Sequence, residues 1–225
     1  MTDLLEIPVS YYKVTLDNDD LPEDPASWGG WKVASFCTRH NSFIDPYTLI
    51  LRQDNNGDPV GITAGLRRKL AFGTAFWLSY YEHGDGRWSI YNGKTPGNQW
   101  DGVRIAGLLT FESKASNLPK SQEDRRKQAD SFLDTYNNWS NGNVFMFHID
   151  RLTPPDDNED FCLDTDSDKC VVEDLVSSNG FYGDDDLFMG VRESLKESGF
   201  KKGDQITVDG DHKWIEDYHE LDPTV

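Results

Sequence analysis

Three short stretches bring together side chains able to do acid–base or metal chemistry. Tyr80-Tyr81-Glu82-His83-Gly84 sets a carboxylate beside an imidazole at a glycine turn, with Trp88 close behind. That combination suits a general acid/base pair, an aromatic recognition tip, or a rigid turn with local hydrogen bonds. His148 and Asp150 stand two residues apart at the exit of an apolar run (Val144–Ile149), so on a strand they share one face. Cys37-Thr-Arg-His40, followed by Asp45, offers a thiol, an imidazole and a carboxylate for zinc or for a Cys–His pair. A cysteine ending an apolar strand more often packs as a small hydrophobe. Glu82, His83, His148 and Asp150 are thus the candidate catalytic residues. A metal centre would need His40, His83 and His148 to converge with Asp150, which spacing alone does not establish. No cofactor is expected, and no metal site is assigned.

A fourth stretch, Asp164-Thr-Asp166-Ser-Asp168, imitates the start of a calcium loop, where alternate oxygens wrap a hard cation. Its sixth position is Lys169 where the loop needs glycine, and its twelfth is Leu175 where a bidentate glutamate belongs. It reads as a solvated acidic loop. There is no phosphate-binding P-loop, dinucleotide fingerprint, paired CxxC, HExxH or nucleophile elbow.

The elements that must position these groups are mostly strands. Val9–Leu16, Trp31–Cys37, Tyr47–Arg52, Ala75–Tyr81, Arg87–Tyr91 and Val103–Phe111 are rich in β-branched and aromatic residues. Turn signals fall at 17–20, 41–46 and 54–59, and the glycines of 82–86 suit a hairpin. A short helix is expected within 61–72. A longer one follows Ser121, whose pairing with Asp124 resembles a capping box; Ala129, Phe132, Leu133, Tyr136 and Trp139 form its apolar face, and Gly142 ends it. A second long helix should begin at Asp184-Asp185-Asp186, where acids oppose the positive helix pole, and bury Leu187, Phe188, Val191 and Leu195. Val144–Ile149 and Gln205–Val208 are further strands. Together these predict an α+β fold, a single domain over 1–225 around a mostly antiparallel sheet, with two main helices in the C-terminal half. Residues 153–170 are expected to form a mobile acidic loop.

The 225 residues carry a net charge of −18, unevenly placed. Residues 61–130 have a net of +4 and residues 131–225 a net of −16. Aspartates outnumber glutamates 29 to 11, which favours turns and caps over helix interiors. This acidity opposes direct nucleic-acid binding, and a solubilising role or a saline habitat would produce it too. No apolar run is long enough to span a bilayer, and the N-terminus has no basic and apolar leader pattern. With three irregularly spaced cysteines, a reducing cytoplasm is expected, without disulfides or membrane.

Tyr81-Glu82-His83-Gly84 with Trp88, then Trp100-Asp101, Ala106-Gly107 and the Ser177–Gly183 run, resembles a pattern in uncharacterised acidic accessory proteins of bacteriophages and other mobile elements. The resemblance implies a context, a phage-type protein in a bacterial host, and transfers no activity. The leading expectation is a non-enzymatic accessory protein that binds a basic host or viral protein through an acidic surface, with possible DNA mimicry. Its binding residues would be Asp156, Asp157, Asp160, Asp164, Asp166, Asp168, Asp184, Asp185 and Asp186. The alternatives are a metal-assisted or acid/base hydrolytic enzyme using the His/Glu/Asp groups above, and a structural component of a virion.

Overall fold

The fold is seen in a computed structural model, which describes residues 9–36, 45, 51–53, 59–94, 101–114, 117–155, 162–210 and 223. It is α+β, its strands are mainly antiparallel, and its two long helices lie in the C-terminal half. The chain divides into two compact units, Met1–Pro22 with Gly142–Val225, and Glu23–Asn141. The expected strands are shared between two four-stranded sheets and a two-stranded ribbon. Sequence patterning finds strands but not their partners, because pairing is settled by residues distant in the chain.

In the first unit the sheet order is β10-β1-β8-β9, from β1 (Tyr11–Asn18), β8 (Val144–Thr153), β9 (Val171–Tyr182) and β10 (Gln205–Asp209). β1 runs parallel to β10 and antiparallel to β8, and β8 runs antiparallel to β9. Alternation along β1 and β8 turns Tyr12, Val14, Leu16, Phe145, Phe147 and Ile149 to one face, where they join Leu187, Val191 and Leu195 in a core. Those three leucine and valine side chains come from the helix Asp184–Glu197, spaced four apart as an amphipathic face requires. Its acidic start also ties itself to the sheet: Asp186 accepts a 3.0 Å hydrogen bond from the Tyr182 N–H.

β9 is a strand that sequence patterning did not assign. Val171–Tyr182, including the polar run Ser177-Ser178-Asn179-Gly180, lies along β8. Two register shifts reconcile sequence and pairing. Leu175 is extra between the Asp174 and Val176 pairs, and Gly180 is extra between Asn179 and Phe181. Gly180 has φ 79°, the left-handed conformation that a bulge glycine supplies.

The second unit holds the sheet β2-β7-β5-β6, antiparallel throughout: β2 (Trp31–Ser35), β7 (Gly102–Phe111), β5 (Ala75–His83) and β6 (Asp85–Ile90). A two-stranded ribbon, β3 (Leu51–Gln53) with β4 (Pro59–Ile62), precedes the helix α1 (Ala64–Phe72). Helix α2 (Gln122–Ser140) starts as its sequence requires: Ser121 Oγ accepts from the Asp124 N–H at 3.0 Å and donates to Asp124 Oδ2 at 2.6 Å. It buries Ala129, Leu133 and Tyr136 against Trp31, Leu78, Trp88 and Leu109. Buried Asn137 accepts from the Trp88 N–H (2.8 Å) and donates to its C=O (3.0 Å). One turn on, Asn141 does the same to Gly86. The outer edge of β6 is therefore satisfied by side-chain amides from a helix.

Two short turns, α3 (Leu163–Asp166) and a 3-10 turn Ser167–Lys169, occupy part of the segment read as an acidic loop. Leu163 is buried, which anchors this stretch despite its polarity. Residues 156–161 of that segment lie outside the described residues, as do the expected turns at 41–44 and 54–58 and strand residues 47–50. The Asp184–Glu197 helix is α4. No helix among the described residues is long and apolar enough to cross a membrane.

Candidate metal centre

His148 and Asp150 point to the same side of β8, opposite the face that packs on α4, as their spacing predicts. Their side chains meet, with His148 Nε2 and Asp150 Oδ1 at 2.9 Å. β9 adds a third group. Asp174 pairs with Asp150 in register, and its Oδ1 lies 3.9 Å from His148 Nε2. The potential ligand atoms of His148, Asp150 and Asp174 all fall within 4.8 Å of one another. The Leu175 bulge is the local device that places Asp174 here. It sits between the Ile149 and Asp150 positions of β8 and re-aims the strand where the site lies.

Access is graded across the three. Asp150 is 13% exposed, His148 33% and Asp174 75%, so the site opens to solvent on the Asp174 side. Lys13 on β1 lies opposite Asp150, and Thr15 opposite His148, both on this same face. The Lys13 ammonium is engaged by Asp209 at 2.9 Å, and that bond holds the Asp209 carboxyl below the usual carboxylate range.

One imidazole nitrogen and two carboxylate oxygens form a donor set for zinc, manganese or a similar divalent cation. Metal–ligand bonds of about 2.0–2.2 Å place neighbouring ligand atoms roughly 3 to 3.5 Å apart. His148 Nε2 and Asp150 Oδ1 stand at the hydrogen-bond distance of 2.9 Å, a contact that a cation would replace, and Asp174 Oδ1 at 3.9 Å would have to move in. Three protein ligands would leave coordination positions for water.

The remaining sequence candidates fall elsewhere. Glu82 and His83 are neighbours on β5, so their side chains project to opposite faces and do not form a pair. His83 instead approaches Asp101, Nδ1 to Oδ2 at 3.5 Å, and stacks on Tyr81. The aromatic content of that hairpin has a packing role. Tyr80 rests on Trp88 at 4.6 Å between ring centres and lies over Gly86, where a Cβ would come within 2.3 Å of its hydroxyl oxygen. His83 and His148 therefore stand on strands of different sheets. Cys37, His40 and Trp100 lie outside the described residues, and Cys162 and Cys170 form no disulfide.

Of the acidic candidates, Asp156, Asp157 and Asp160 lie outside the described residues, and Asp164 sits in the first helical turn with its side chain undescribed. Asp166 is used internally, accepting from the Cys162 N–H and the Lys169 ammonium. The calcium-like run is therefore helical at its centre. Asp168, Asp184 and Asp185 are exposed, while Asp186 is committed to Tyr182. Asp174 is the functional candidate that sequence reasoning missed. The only signal was the adjacent Glu173-Asp174 pair, and nothing local reveals that β9 lies beside β8. The chain matches no protein-family model, no curated protein and no solved structure.

Proposed function

We propose that this protein is a metal-dependent hydrolytic enzyme whose centre is His148, Asp150 and Asp174. The observation that carries the reading is the convergence of one imidazole and two carboxylates from two strands at a bulge, with solvent access through Asp174. A divalent cation held by three protein groups acidifies a bound water towards neutral pH and supplies hydroxide for hydrolysis. The chain's own residues would hold the cation: His148 and Asp150 on β8 and Asp174 on β9 each offer one ligand atom.

The test is calorimetric titration of chelator-treated protein with zinc or manganese, followed by hydrolysis of chromogenic carboxylic and phosphoric esters. One cation per chain is expected, with affinity at least about tenfold weaker in His148→Ala and in Asp174→Asn. Stability of those variants should change by less than about 1 kcal/mol, because both side chains lie off the packed core. Undiminished binding in either variant removes the centre. Binding without ester hydrolysis leaves a metal site but removes the enzyme.

A second reading is supported by the net charge of −16 over residues 131–225 and by the exposed acids Asp184 and Asp185 at the start of α4. That acidity suits a basic partner, the interaction expected of a phage-type accessory protein in a bacterial host. Capture of one stoichiometric basic protein, released by salt and lost in Asp184→Asn/Asp185→Asn, would favour it. Capture unchanged by those substitutions would remove it.

A further inference from the structure

In a chain of net charge −18, one cavity of about 500 Å³ carries only cationic charge among its lining residues. It lies in the second unit and is lined by Arg68, Lys69, Phe72, Thr74, Leu118 and Arg125, with Gly65 at its rim. Its volume falls in the range of small-molecule sites, about 300–1,000 Å³. We infer that this cavity binds an organic phosphate with an aromatic body. The inference is independent of the metal reading.

Among the described residues, no carboxylate neutralises these cations. Arg125 spends its guanidinium on backbone carbonyls, donating from Nε to Pro119 at 2.7 Å and from its two terminal nitrogens to Phe72 and Lys120. Those bonds fix the group in place while leaving its full positive charge. Arg68 donates to the Ala64 carbonyl at 3.4 Å, and neither Arg68 nor Lys69 has an ion-pair partner among the described residues. Three cations without acids match a dianion better than a monoanion, and an organic phosphate carries about −1.5 to −2 near neutral pH.

One feature of the fold opposes an anion here, since the C-terminal pole of α1 is negative. The structure offsets it locally. Lys69 O accepts from Thr74 N at 2.9 Å and Thr74 Oγ1 at 3.2 Å, Leu70 O accepts from Gly73 N at 3.2 Å, and Phe72 O is taken by Arg125. The pole that would repel a phosphate is already hydrogen-bonded and faces a guanidinium.

The aromatic preference comes from Phe72. Phe72 is 65% exposed at the end of α1, and Leu118 lines the same cavity. A phosphate held by Arg68, Lys69 and Arg125 therefore leaves its organic part against a flat apolar surface, where ring stacking adds affinity.

The experiment titrates the full chain with phenyl phosphate, with inorganic phosphate and with an alkyl phosphate, following binding by calorimetry at low and high salt. Phenyl phosphate should bind at one site, at least about fivefold tighter than either comparison ligand, and weaken as salt rises. The double variant Arg68→Gln/Lys69→Gln should lose at least about tenfold, and Phe72→Leu should abolish only the preference for the aromatic ligand. All three positions are exposed, so unchanged thermal unfolding will show that the variants remain folded. Absence of saturable phenyl phosphate binding, equal binding of inorganic phosphate, or undiminished affinity in the double variant would each overturn the inference.

Discussion

The outer strands β6 and β9 are finished in opposite ways. β6 is sealed: Asn137 and Asn141, one turn apart on α2, satisfy the backbone of Trp88 and Gly86 as another strand would. β9 is interrupted by bulges at Leu175 and Gly180 and begins with two exposed valines, Val171 and Val172. Both devices discourage further strand pairing, since an edge must be covered or distorted. They differ in what they leave available. Sealing commits polar groups to the fold, whereas the Leu175 bulge swings Asp174 towards His148 and Asp150. The more regular sheet edge is thus architectural, and the irregular one carries the candidate chemistry.

The comparison can be broken most forcefully at Asn137. Replacing it with alanine removes the partners of the Trp88 N–H and C=O beneath a helix, and should destabilise the protein by about 2–4 kcal/mol in urea unfolding. A loss below about 1 kcal/mol would mean that water replaces the amide and that the edge is not sealed. A smaller effect is expected where α4 meets β9. A Cβ at Gly190 would lie 2.2 Å from Phe181 Cε1, so Gly190→Ala overpacks that contact. Its gain in helix propensity, about 1 kcal/mol, offsets part of the strain and leaves a net cost of about 1–2 kcal/mol. Stabilisation by this substitution would show that Phe181 moves freely and that the bulged strand packs loosely.

The smallest effect concerns Lys13 and Asp209, on the polar side of the first unit's sheet. Asp209 titrates below its ordinary value because the Lys13 ammonium hydrogen-bonds it. The pairing therefore contributes its stability in full above about pH 4 and loses it as pH falls through the lowered value. Asp209 is 64% exposed, so solvent screening keeps the contribution below about 1 kcal/mol. Lys13→Met should cost that amount at neutral pH, with the difference from wild type vanishing in acid. A difference that persists in acid would assign the effect to packing instead.

The sequence by itself determined the local elements and the local half of the site. Ser121 with Asp124 and the Ala129–Trp139 spacing defined α2; the Asp184–Asp186 run defined the start of α4, and alternation set which sides of β1 and β8 are buried. It also placed His148 and Asp150 on one face, because that relation depends only on a two-residue strand repeat. Tertiary structure decided what depends on distant partners. It divided the strands between two four-stranded sheets and a two-stranded ribbon, carried β9 through the polar run Ser177-Ser178-Asn179-Gly180, and paired His83 with Asp101. It also brought Asp174 across to His148. Asp174 precedes Leu175, whose presence as a bulge is set by the register of β8, and no property of residues 171–182 alone fixes that register.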